Sequence, residues 1–592
     1  MMEKLYYSSE RNVQILLGLL KANGIKKVVA SPGSTNIPLV LSMQNDGGFE
    51  MYSCVDERSA AYMAVGLSQE SGEPVVLTCT GATASRNYFS GLTEAYYRHL
   101  PILAVTSTRP LSHIGHLCAQ VIDRTKISND IANLSVFAPL VRCNDDEWDC
   151  QMKLNQAMIA LRANGGGPVH INLETESSFD FSVKELKGVR NIRYITPYDD
   201  FPEITGGKTA IFVGSHKPFS DNETKAIDTF CAKYNGIVLC DHTSNYHGRY
   251  RVLGALMGGQ KKYLSVAANA DLMIGIGDIT GSYEMAMLGP KAKKFWRVAE
   301  DGVLRDMTHS LSAMFYMREI DFFEKYASIK SSESDGSFYA NCVEDYASLI
   351  EKIPSDLPFS NIWVAKEFSP RIPANSVIQY SILNSLRSWS FFEVPNSING
   401  FGCTGGFGID GGISAMMGAS LCNKNKLYFG IAGDLSFFYD MNVLGNHHIG
   451  NNVRLLIVNN GKGMEFRNFI HPASKYDNDV VDPYISAGGH FGNKSINLVK
   501  HFAEDLGYRY LSATSKEELK KVEDEFLSPV IGDKPIILEV FTEQNDENKA
   551  LYTMLNLKVS TDKLIVNAAR EVIESVAGKE GFEKVKNIIR GR

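Results

Sequence analysis

The chain has 592 residues, of which 44% are apolar and 21% are charged. A single hydrophobic core stops growing at about 250 to 300 residues, so this length predicts two to four domains, and the composition excludes a disordered chain. The net charge of −7 and the absence of a long basic run argue against a nucleic-acid-binding protein. In the basic stretch 579–592, glutamates interleave with lysines, which is typical of a solvated terminal helix.

The cysteine pattern and the hydropathy pattern indicate the compartment. The ten cysteines form no CxxC pair and are too sparse for a disulfide framework, so a reducing environment is expected. The N-terminal residues are too polar for a signal peptide, and no window of about 18 residues is uninterruptedly apolar, so no membrane span is predicted. We therefore expect a cytoplasmic protein that binds neither membranes nor nucleic acid.

Short apolar strands alternate with helical stretches from the N-terminus onward. Helical periodicity that starts at Arg11 gives way to strands predicted at 27–30, 51–55, 75–78 and 102–105. Fully apolar strands separated by helices are typical of a parallel sheet covered on both faces. The pattern predicts a first α/β domain over residues 1–180.

Two further α/β domains are predicted beyond a linker at about 177–205, where periodicity is lost and prolines gather. The second domain spans 205–330, and its first strand is expected at 209–214. A second linker at 330–359 contains one helix, and a third domain spans 360–592, with strands at 376–378, 427–431 and 454–458. The predicted fold class is therefore α/β, with three doubly wound domains and mainly parallel sheets.

Hard oxygen ligands follow two neighbouring predicted strands of the third domain. Gly433 and Asp434 end one strand, and an Asn-Asn-Gly-Lys sequence with Asn460 and Lys462 ends the next. The carboxyl ends of parallel strands are where open α/β sheets bind ligands. A carboxylate, an amide carbonyl and a backbone carbonyl suit Mg²⁺ when phosphate oxygens complete its octahedral coordination, so a diphosphate is the expected ligand. Free N–H groups at Leu435 and Ser436, at the start of the following helix, would also favour binding of a diphosphate.

A second carboxylate, Glu57, follows the predicted strand 51–55 and opens a helix of small residues. By itself it has two interpretations: a helix-start carboxylate that favours the macrodipole, or a catalytic acid. The 26-residue interval between Asp434 and Asn460, together with Glu57 far upstream, resembles the superfamily of thiamine-diphosphate-dependent 2-oxo acid decarboxylases and carboligases. The resemblance implies three domains in the order pyrimidine (PYR), central and diphosphate (PP), and thiamine diphosphate and Mg²⁺ as cofactors.

The resemblance also implies roles for individual residues. Asp434, Asn460 and the backbone carbonyl of Lys462 would bind Mg²⁺. Glu57 would contact N1′ of the aminopyrimidine and favour the imino tautomer, which removes the thiazolium C2 proton. Further cofactor contacts would come from Gly81, Ala82, Ser381, Ile409, Gly433, Leu435 and Ser436, with Ile409 wedged between the cofactor rings. Candidate substrate contacts are Ser34, Arg109, Gln120 and Phe466.

The assignment of Gly81 and Ala82 has a purely structural alternative, and Asp410 is given no functional role. Thr80 to Ala84, which includes Gly81 and Ala82, is also compatible with a tight βα turn. Asp410, which follows Ile409, is compatible with a helix N-cap.

Within the superfamily, the sequence most resembles the menaquinone-pathway synthases, which join decarboxylated 2-oxoglutarate to isochorismate. The matching segments are 31–34, 108–110, 408–411 and 433–442. These synthases bind the carboxylates of their substrates with arginines, because the planar guanidinium can form two hydrogen bonds to a carboxylate. Thr35, Ser385 and Thr404 stand where three such arginines are expected.

Three functional hypotheses follow. The first is a carboligase with altered specificity, using a smaller 2-oxo acid such as pyruvate and a neutral, sugar-like carbonyl acceptor, because unpaired carboxylates in a desolvated pocket would cost several kcal/mol each. The second is a menaquinone-pathway synthase in which Arg387 or Arg467 replaces the missing cations. The third is a cofactor-binding homologue without turnover. In the superfamily the PYR domain of one subunit faces the PP domain of another, so a homodimer or homotetramer is expected.

Overall fold

The structure is a computed structural model that describes residues 6–205, 207–329, 334–490 and 494–558. The helix predicted at 579–592 and the end of the predicted PP domain lie outside these residues. The chain divides into two compact units, one formed by the residues up to Tyr194 with Ser312–Met314 and the other by the remainder.

The first unit is built on a parallel sheet of six strands in the order β2-β1-β3-β4-β6-β5. Strands β3, β4 and β6 are buried along their whole length, as their apolar sequences predict. The strands are β1 (Lys27–Ala30), β2 (Glu50–Ser53), β3 (Val75–Cys79), β4 (Ile102–Thr108), β5 (Leu134–Ala138) and β6 (Val169–Glu174). The helices are α1 (Arg11–Ala22), α2 (Ile37–Asp46), α3 (Glu57–Ser71), α4 (Thr83–Asn87), α5 (Phe89–Tyr97) and α6 (Asn144–Ala160).

The remaining strands form two sheets. The seven-stranded sheet has the order β10-β9-β8-β11-β12-β13-β7, and the six-stranded sheet has the order β15-β14-β16-β17-β19-β18 with all of its pairs parallel. The strands of the first are β7 (Arg193–Ile195), β8 (Thr209–Val213), β9 (Gly236–Cys240), β10 (Arg251–Leu253), β11 (Leu272–Ile276), β12 (Phe295–Ala299) and β13 (Leu311–Tyr316). Those of the second are β14 (Val377–Tyr380), β15 (Asn399–Gly402), β16 (Tyr428–Gly433), β17 (Val453–Asn459), β18 (Arg509–Ala513) and β19 (Ile536–Phe541).

Helices cover these two sheets. Around the seven-stranded sheet they are α7 (Asp221–Lys233), α8 (Ala255–Gly258), α9 (Tyr283–Ala286), α10 (Glu319–Ser328) and α11 (Ser337–Ile350). Around the six-stranded sheet they are α12 (Asn361–Phe368), α13 (Asn384–Trp389), α14 (Gly412–Ser420), α15 (Asp434–Asp440), α16 (Asn478–Val481), α17 (Leu498–Asp505), α18 (Lys516–Phe526) and α19 (Gln544–Met554). Within the described ranges, none of the helices is long and apolar enough to cross a bilayer.

Three mainly parallel sheets with interleaved helices confirm the predicted α/β fold class. The limits of the three domains stay a prediction, because the six-stranded sheet and most of the seven-stranded sheet fall into one compact unit. One strand prediction was too long: β2 ends at Ser53, because Asp56 caps α3 by accepting a hydrogen bond from the Ser59 amide at 2.7 Å. Val55, predicted as the end of that strand, is 77% exposed.

Candidate active site

Asp434 and Asn460 lie at the same edge of the six-stranded sheet. Strands β16 and β17 are parallel neighbours with Gly433 opposite Val458, so the residues that follow each strand emerge side by side. Asp434 is only 3% exposed, and this burial raises the pKa of its carboxyl to about 7 although backbone amides of Leu435 and Gly461 oppose the shift. The Oδ1 atom of Asn460 is buried and has no hydrogen-bond partner among the described residues.

These two oxygen atoms fit a hard divalent cation. A buried carboxylate and a buried carbonyl oxygen without a donor are costly unless a positive charge or a hydrogen bond compensates them. Mg²⁺ prefers carboxylate and amide oxygens and keeps the remaining positions for water and phosphate oxygens. The donor set at this edge therefore matches the ligand chemistry that the sequence predicts.

The loop that carries Lys462 is braced from several directions. Gly461 adopts a left-handed conformation at φ 76°, and its amide donates to Asn459 Oδ1 at 3.1 Å. The Lys462 ammonium contacts Asp482 and donates to Gln544 Oε1 at 3.1 Å, while the Gly463 amide donates to the Ser486 carbonyl at 2.6 Å. The side chain of Lys462 is thus engaged elsewhere, which leaves a metal-binding role to its backbone carbonyl.

Three predicted cofactor contacts come together beside Asp434. Ser381 Oγ lies 3.0 Å from Ser436 Oγ, and the Ser436 hydroxyl donates to the Ile409 carbonyl at 2.7 Å. At Gly433, a Cβ atom would meet nothing within 4 Å, so the strand end faces open space. Leu435 packs close to the Lys462 loop, because a Cβ atom at Gly463 would lie 3.3 Å from Leu435 Cδ1.

In the first unit, the predicted residues gather at the carboxyl edge of the sheet. Glu57 follows β2 and is the first residue of α3, where it is half-buried and accepts a hydrogen bond from Asn87 Nδ2 at 3.3 Å. This position fits both the helix-start interpretation and the catalytic one. Ser34 follows β1 and Arg109 follows β4, and both are exposed.

The loops after β1, β3 and β4 pack against one another at that edge. Thr35 Oγ1 lies 2.6 Å from Thr80 Oγ1, so the threonine that stands at an expected arginine position is engaged within the protein. A Cβ atom at Gly81 would lie 3.0 Å from the Ser107 carbonyl oxygen and 3.4 Å from Arg124 Nη2. Gln120 lies farther along the irregular segment after β4, exposed and at φ 63°.

Arg124 is a residue that the sequence interpretation missed. It is 4% exposed, donates from Nη2 to the Ser107 carbonyl at 3.0 Å, and lines a small cavity with Thr106 and His170. A lone arginine in a segment without periodicity carries no sequence signal for such a position. Its burial behind Gly81 supports the loop that the resemblance places against the pyrimidine.

Ala82 has a strained backbone, at φ 57° and ψ −134°. Such a conformation costs about 1–3 kcal/mol for a residue with a Cβ atom, against about 0.5–1 kcal/mol of extra unfolded-state entropy for glycine. We expect Ala82→Gly to raise the free energy of unfolding by about 1 kcal/mol, measured by urea denaturation. Ala84→Gly, inside α4, is the control and should lower it by about 1 kcal/mol; equal losses in both variants would contradict strain at Ala82.

The two arginines considered as replacement cations are both engaged internally. Arg387 is 4% exposed and donates to Glu284 Oε1 at 2.7 Å, to both oxygens of Glu465 at 2.7 and 3.1 Å, and to Asn384 Oδ1 at 2.8 Å. Arg467 donates to the carbonyls of residues 473 and 476 and to Asn478. Both guanidinium groups are engaged within the protein in this conformation, although Arg467 Nε has no hydrogen-bond partner among the described residues.

The remaining substrate candidate, Phe466, lies next to this ion-pair network. It is 37% exposed, and its ring makes an edge contact with His471 at 5.3 Å between centroids. It is adjacent in the chain to Glu465, so the Arg387 ion pairs hold the segment that presents it.

The fold and this site resemble those of thiamine-diphosphate-dependent enzymes. Residues 11–127 match the family described as thiamine pyrophosphate enzyme, N-terminal TPP binding domain. This match confirms the recognition made from the motifs, and with it the cofactor pair of thiamine diphosphate and a divalent metal such as Mg²⁺.

Curated relatives resemble the chain over nearly its whole length. The 2-succinyl-5-enolpyruvyl-6-hydroxy-3-cyclohexene-1-carboxylate synthase of Phocaeicola vulgatus is 29% identical, over 92% of this chain and 98% of the relative. The synthase of the same name from Bacteroides thetaiotaomicron is also 29% identical, again over 92% and 98% of the two chains. That from Christiangramia forsetii is 28% identical, over 94% of this chain and 100% of the relative.

Proposed function

We propose that this protein is a carboligase that decarboxylates a 2-oxo acid and transfers the acyl group to an acceptor. In the balanced reaction, CO₂ leaves the donor, the former carbonyl carbon forms a bond to an acceptor carbon, and the acceptor takes up one proton. Bound thiamine diphosphate supplies the nucleophilic carbon and the electron sink. The observation that carries the proposal is the pair formed at adjacent strand ends by buried Asp434 and by Asn460 Oδ1, which has no partner in the part of the chain that the structure describes.

Different residues would bind the two ends of the cofactor. Asp434, Asn460 and the Lys462 carbonyl would hold Mg²⁺. The diphosphate would lie against Gly433, Leu435, Ser436 and Ser381, and the pyrimidine against Ile409, Gly81 and Ala82. Glu57 would hydrogen-bond the pyrimidine and hold the proton there. The protein would form a homodimer or homotetramer in which PYR and PP domains of different subunits face each other.

The similarity to relatives favours 2-oxoglutarate as donor and isochorismate as acceptor. It extends over 92% of the chain to several synthases of one name, which supports this reaction more strongly than a generic carboligase activity. The reaction requires cations for the substrate carboxylates at positions other than the missing arginines. In this conformation Arg387 and Arg467 donate to internal acceptors.

A second candidate uses a smaller 2-oxo acid such as pyruvate and a neutral carbonyl acceptor. The specific observation in its favour is that Thr35 and Thr404 are neutral, buried and hydrogen-bonded within the protein, to Thr80 and Ser215. Ser385 is buried as well, at 3% exposure. None of these three side chains supplies a positive charge.

A matrix of donors and acceptors tests the proposal. The purified protein with thiamine diphosphate and Mg²⁺ is incubated with 2-oxoglutarate or pyruvate, each alone, with isochorismate or with a sugar aldehyde, and CO₂ release and adduct mass are measured. We expect CO₂ from one donor and a new adduct in one pairing. The pairing of 2-oxoglutarate with isochorismate supports the first candidate, pyruvate with the sugar supports the second, and no CO₂ in any combination contradicts both.

A further inference from the structure

Strand β19 carries one charged residue in an otherwise apolar run. Every residue from Ile536 to Val540 is buried, and Glu539 among them is only 1% exposed. Its carboxyl group accepts a hydrogen bond from Asn459 Nδ2 at 2.7 Å and another from the Tyr510 hydroxyl at 2.7 Å. A buried carboxylate is costly unless donors compensate it, so both partners stabilise Glu539 at this position. Glu539 lies outside the set of predicted cofactor ligands.

The carboxylate of Glu539 fixes the orientation of the Asn459 amide. Asn459 ends β17, is 5% exposed, and accepts a hydrogen bond at its main-chain carbonyl from the Thr542 amide at 3.0 Å. An ionised carboxylate can only accept hydrogen bonds, so the NH₂ group of Asn459 must face Glu539. The Oδ1 atom is then left for the loop after β17, where it accepts from the Gly461 amide at 3.1 Å. Both ends of the side-chain amide are therefore used, and a flip would break both hydrogen bonds.

The hydrogen bond from Gly461 shapes the loop that carries the candidate metal ligands. Gly461 adopts φ 76°, and its amide closes a turn over Asn460 by donating to Asn459, two residues earlier. In this turn, Asn460 Oδ1 has no hydrogen-bond partner within the described ranges, and the carbonyl of Lys462 follows one residue after the turn. Groups that orient metal-binding residues typically contribute a factor of about 10 to 100 to metal affinity. The orientation of the Asn459 amide therefore affects the geometry of both oxygen ligands.

Glu539 is itself anchored from two neighbouring strands. Strand β19 pairs in parallel with β17 on one side and with β18 on the other. Asn459 belongs to β17 and Tyr510 to β18, so the two hydrogen bonds to Glu539 join three strands. Burial raises the pKa of the Glu539 carboxyl, and the hydrogen bonds from Asn459 and Tyr510 oppose that shift. A carboxylate held from both sides is a fixed acceptor for the Asn459 amide.

We propose that Glu539 is a positioning residue for the metal site. It holds the Asn459 amide, the amide holds the turn at Gly461, and the turn presents Asn460 Oδ1 and the Lys462 carbonyl to Mg²⁺. This role rests on the proposed function, in which both oxygen atoms bind Mg²⁺, and it identifies what orients them. Glu539 acts through Asn459 and is not itself a metal ligand.

Calorimetric titration with thiamine diphosphate at a series of Mg²⁺ concentrations tests the role, because it gives the Mg²⁺ concentration at half-maximal cofactor binding. Two variants lack the acceptor: Glu539→Leu fills the space and Glu539→Ala empties it, so either one serves if the other does not fold. Both should raise the half-saturating Mg²⁺ concentration about 10- to 100-fold. Glu539→Gln keeps an oxygen that accepts from Asn459 Nδ2 and should stay within about threefold of the unchanged protein.

A double-mutant cycle shows whether Glu539 acts through Asn459. Asn459→Ala should raise the half-saturating Mg²⁺ concentration by a factor similar to that of Glu539→Leu. The double variant should differ from Asn459→Ala by less than about threefold, because the link is already broken. Effects that multiply would show that Glu539 influences the metal by another route, and would overturn the proposal.

Hydrogen–deuterium exchange of the protein without cofactor gives a readout that is independent of bound Mg²⁺. In Glu539→Leu, a peptide that spans 459–463 should exchange at least about tenfold faster, because the Gly461 amide loses its fixed acceptor. Glu539→Gln should keep the slow exchange. Unchanged exchange in Glu539→Leu would contradict a link from Glu539 to this loop.

Glu523→Gln is the matched control for these measurements. Glu523 is a carboxylate of α18 that is 7% exposed and pairs with Arg371 at 2.8 Å, so the same chemical change is made at a buried site without a contact to Asn459. It should change the half-saturating Mg²⁺ concentration less than about twofold. A change as large as that of Glu539→Leu would indicate general destabilisation and would overturn the positioning role.

The possible results separate this role from the proposed function. If the unchanged protein shows no Mg²⁺-dependent binding of thiamine diphosphate, the proposed function fails. If it binds the cofactor with Mg²⁺ but Glu539→Leu and Glu539→Ala leave the half-saturating concentration unchanged, only the role of Glu539 is overturned. Equal weakening in Glu539→Gln and Glu539→Leu would assign the effect to negative charge instead of amide orientation, and would overturn that role as well.

Discussion

Replacement of Glu57 by glutamine is expected to lower kcat about 10²- to 10⁴-fold while thiamine diphosphate and Mg²⁺ still bind. Proton transfer by a positioned carboxyl group contributes about that factor, and an amide cannot perform it. In the proposed arrangement, cofactor binding depends instead on the metal and diphosphate contacts around Asp434. Initial rates of CO₂ release and calorimetric titration with thiamine diphosphate measure the two effects separately.

Glu70→Gln is the matched control for that experiment. Glu70 is an exposed residue of the same helix, α3, so its substitution makes the same chemical change away from the sheet edge. Undiminished turnover in Glu57→Gln would leave Glu57 as a helix-start carboxylate and remove the catalytic assignment. Cofactor binding without turnover in the unchanged protein would support the third hypothesis, a cofactor-binding homologue that has lost catalysis.

Asp434→Asn is expected to weaken Mg²⁺-dependent binding of thiamine diphosphate at least about a hundredfold. The variant keeps the shape of the side chain but removes its negative charge, and loss of one partner from a buried charge pair costs about 3–5 kcal/mol. The protein without cofactor should be no less stable than the unchanged one, because the buried carboxylate is then absent. Calorimetry with and without Mg²⁺, together with thermal unfolding, checks both statements.

Asp505→Asn provides the control, since Asp505 is exposed at the end of α17. It should change neither cofactor affinity nor the Mg²⁺ requirement. If Asp434→Asn bound the cofactor with unchanged affinity and unchanged dependence on Mg²⁺, Asp434 would not be a metal ligand. Retained binding without Mg²⁺ dependence would indicate that the diphosphate contacts alone suffice.

The two candidate reactions differ in the positive charge that they require around the acceptor. The first candidate reaction needs a dicarboxylate acceptor, whereas Thr35, Ser385 and Thr404 stand where arginines are expected. The engaged state of Arg387 shows that a cation near the site in sequence need not be available to a ligand. Measurements with both acceptors therefore decide between the two reactions.

The sequence by itself determined the fold class, the cofactor and the edges at which the candidate residues lie. Apolar strands such as 75–79 and 453–459 can be recognised from their own sequence as buried on both faces. A residue directly after such a strand lies at the carboxyl edge of a parallel sheet. Asp434 and Asn460 could be placed together for that reason. The extent of β2 was predicted less well, because the cap by Asp56 competes with an apolar run that continues to Val55.

Only the tertiary structure decided which charges are available. Arg387 meets Glu284 from 103 positions away and Glu465 from 78 positions away, and no local pattern encodes such pairings. The same long-range packing leaves Glu284 Oε2 without a donor among the described residues and buries Arg124 behind Gly81. Local periodicity follows from the geometry of single strands and helices, whereas the pairing of buried charges depends on how distant segments fold together.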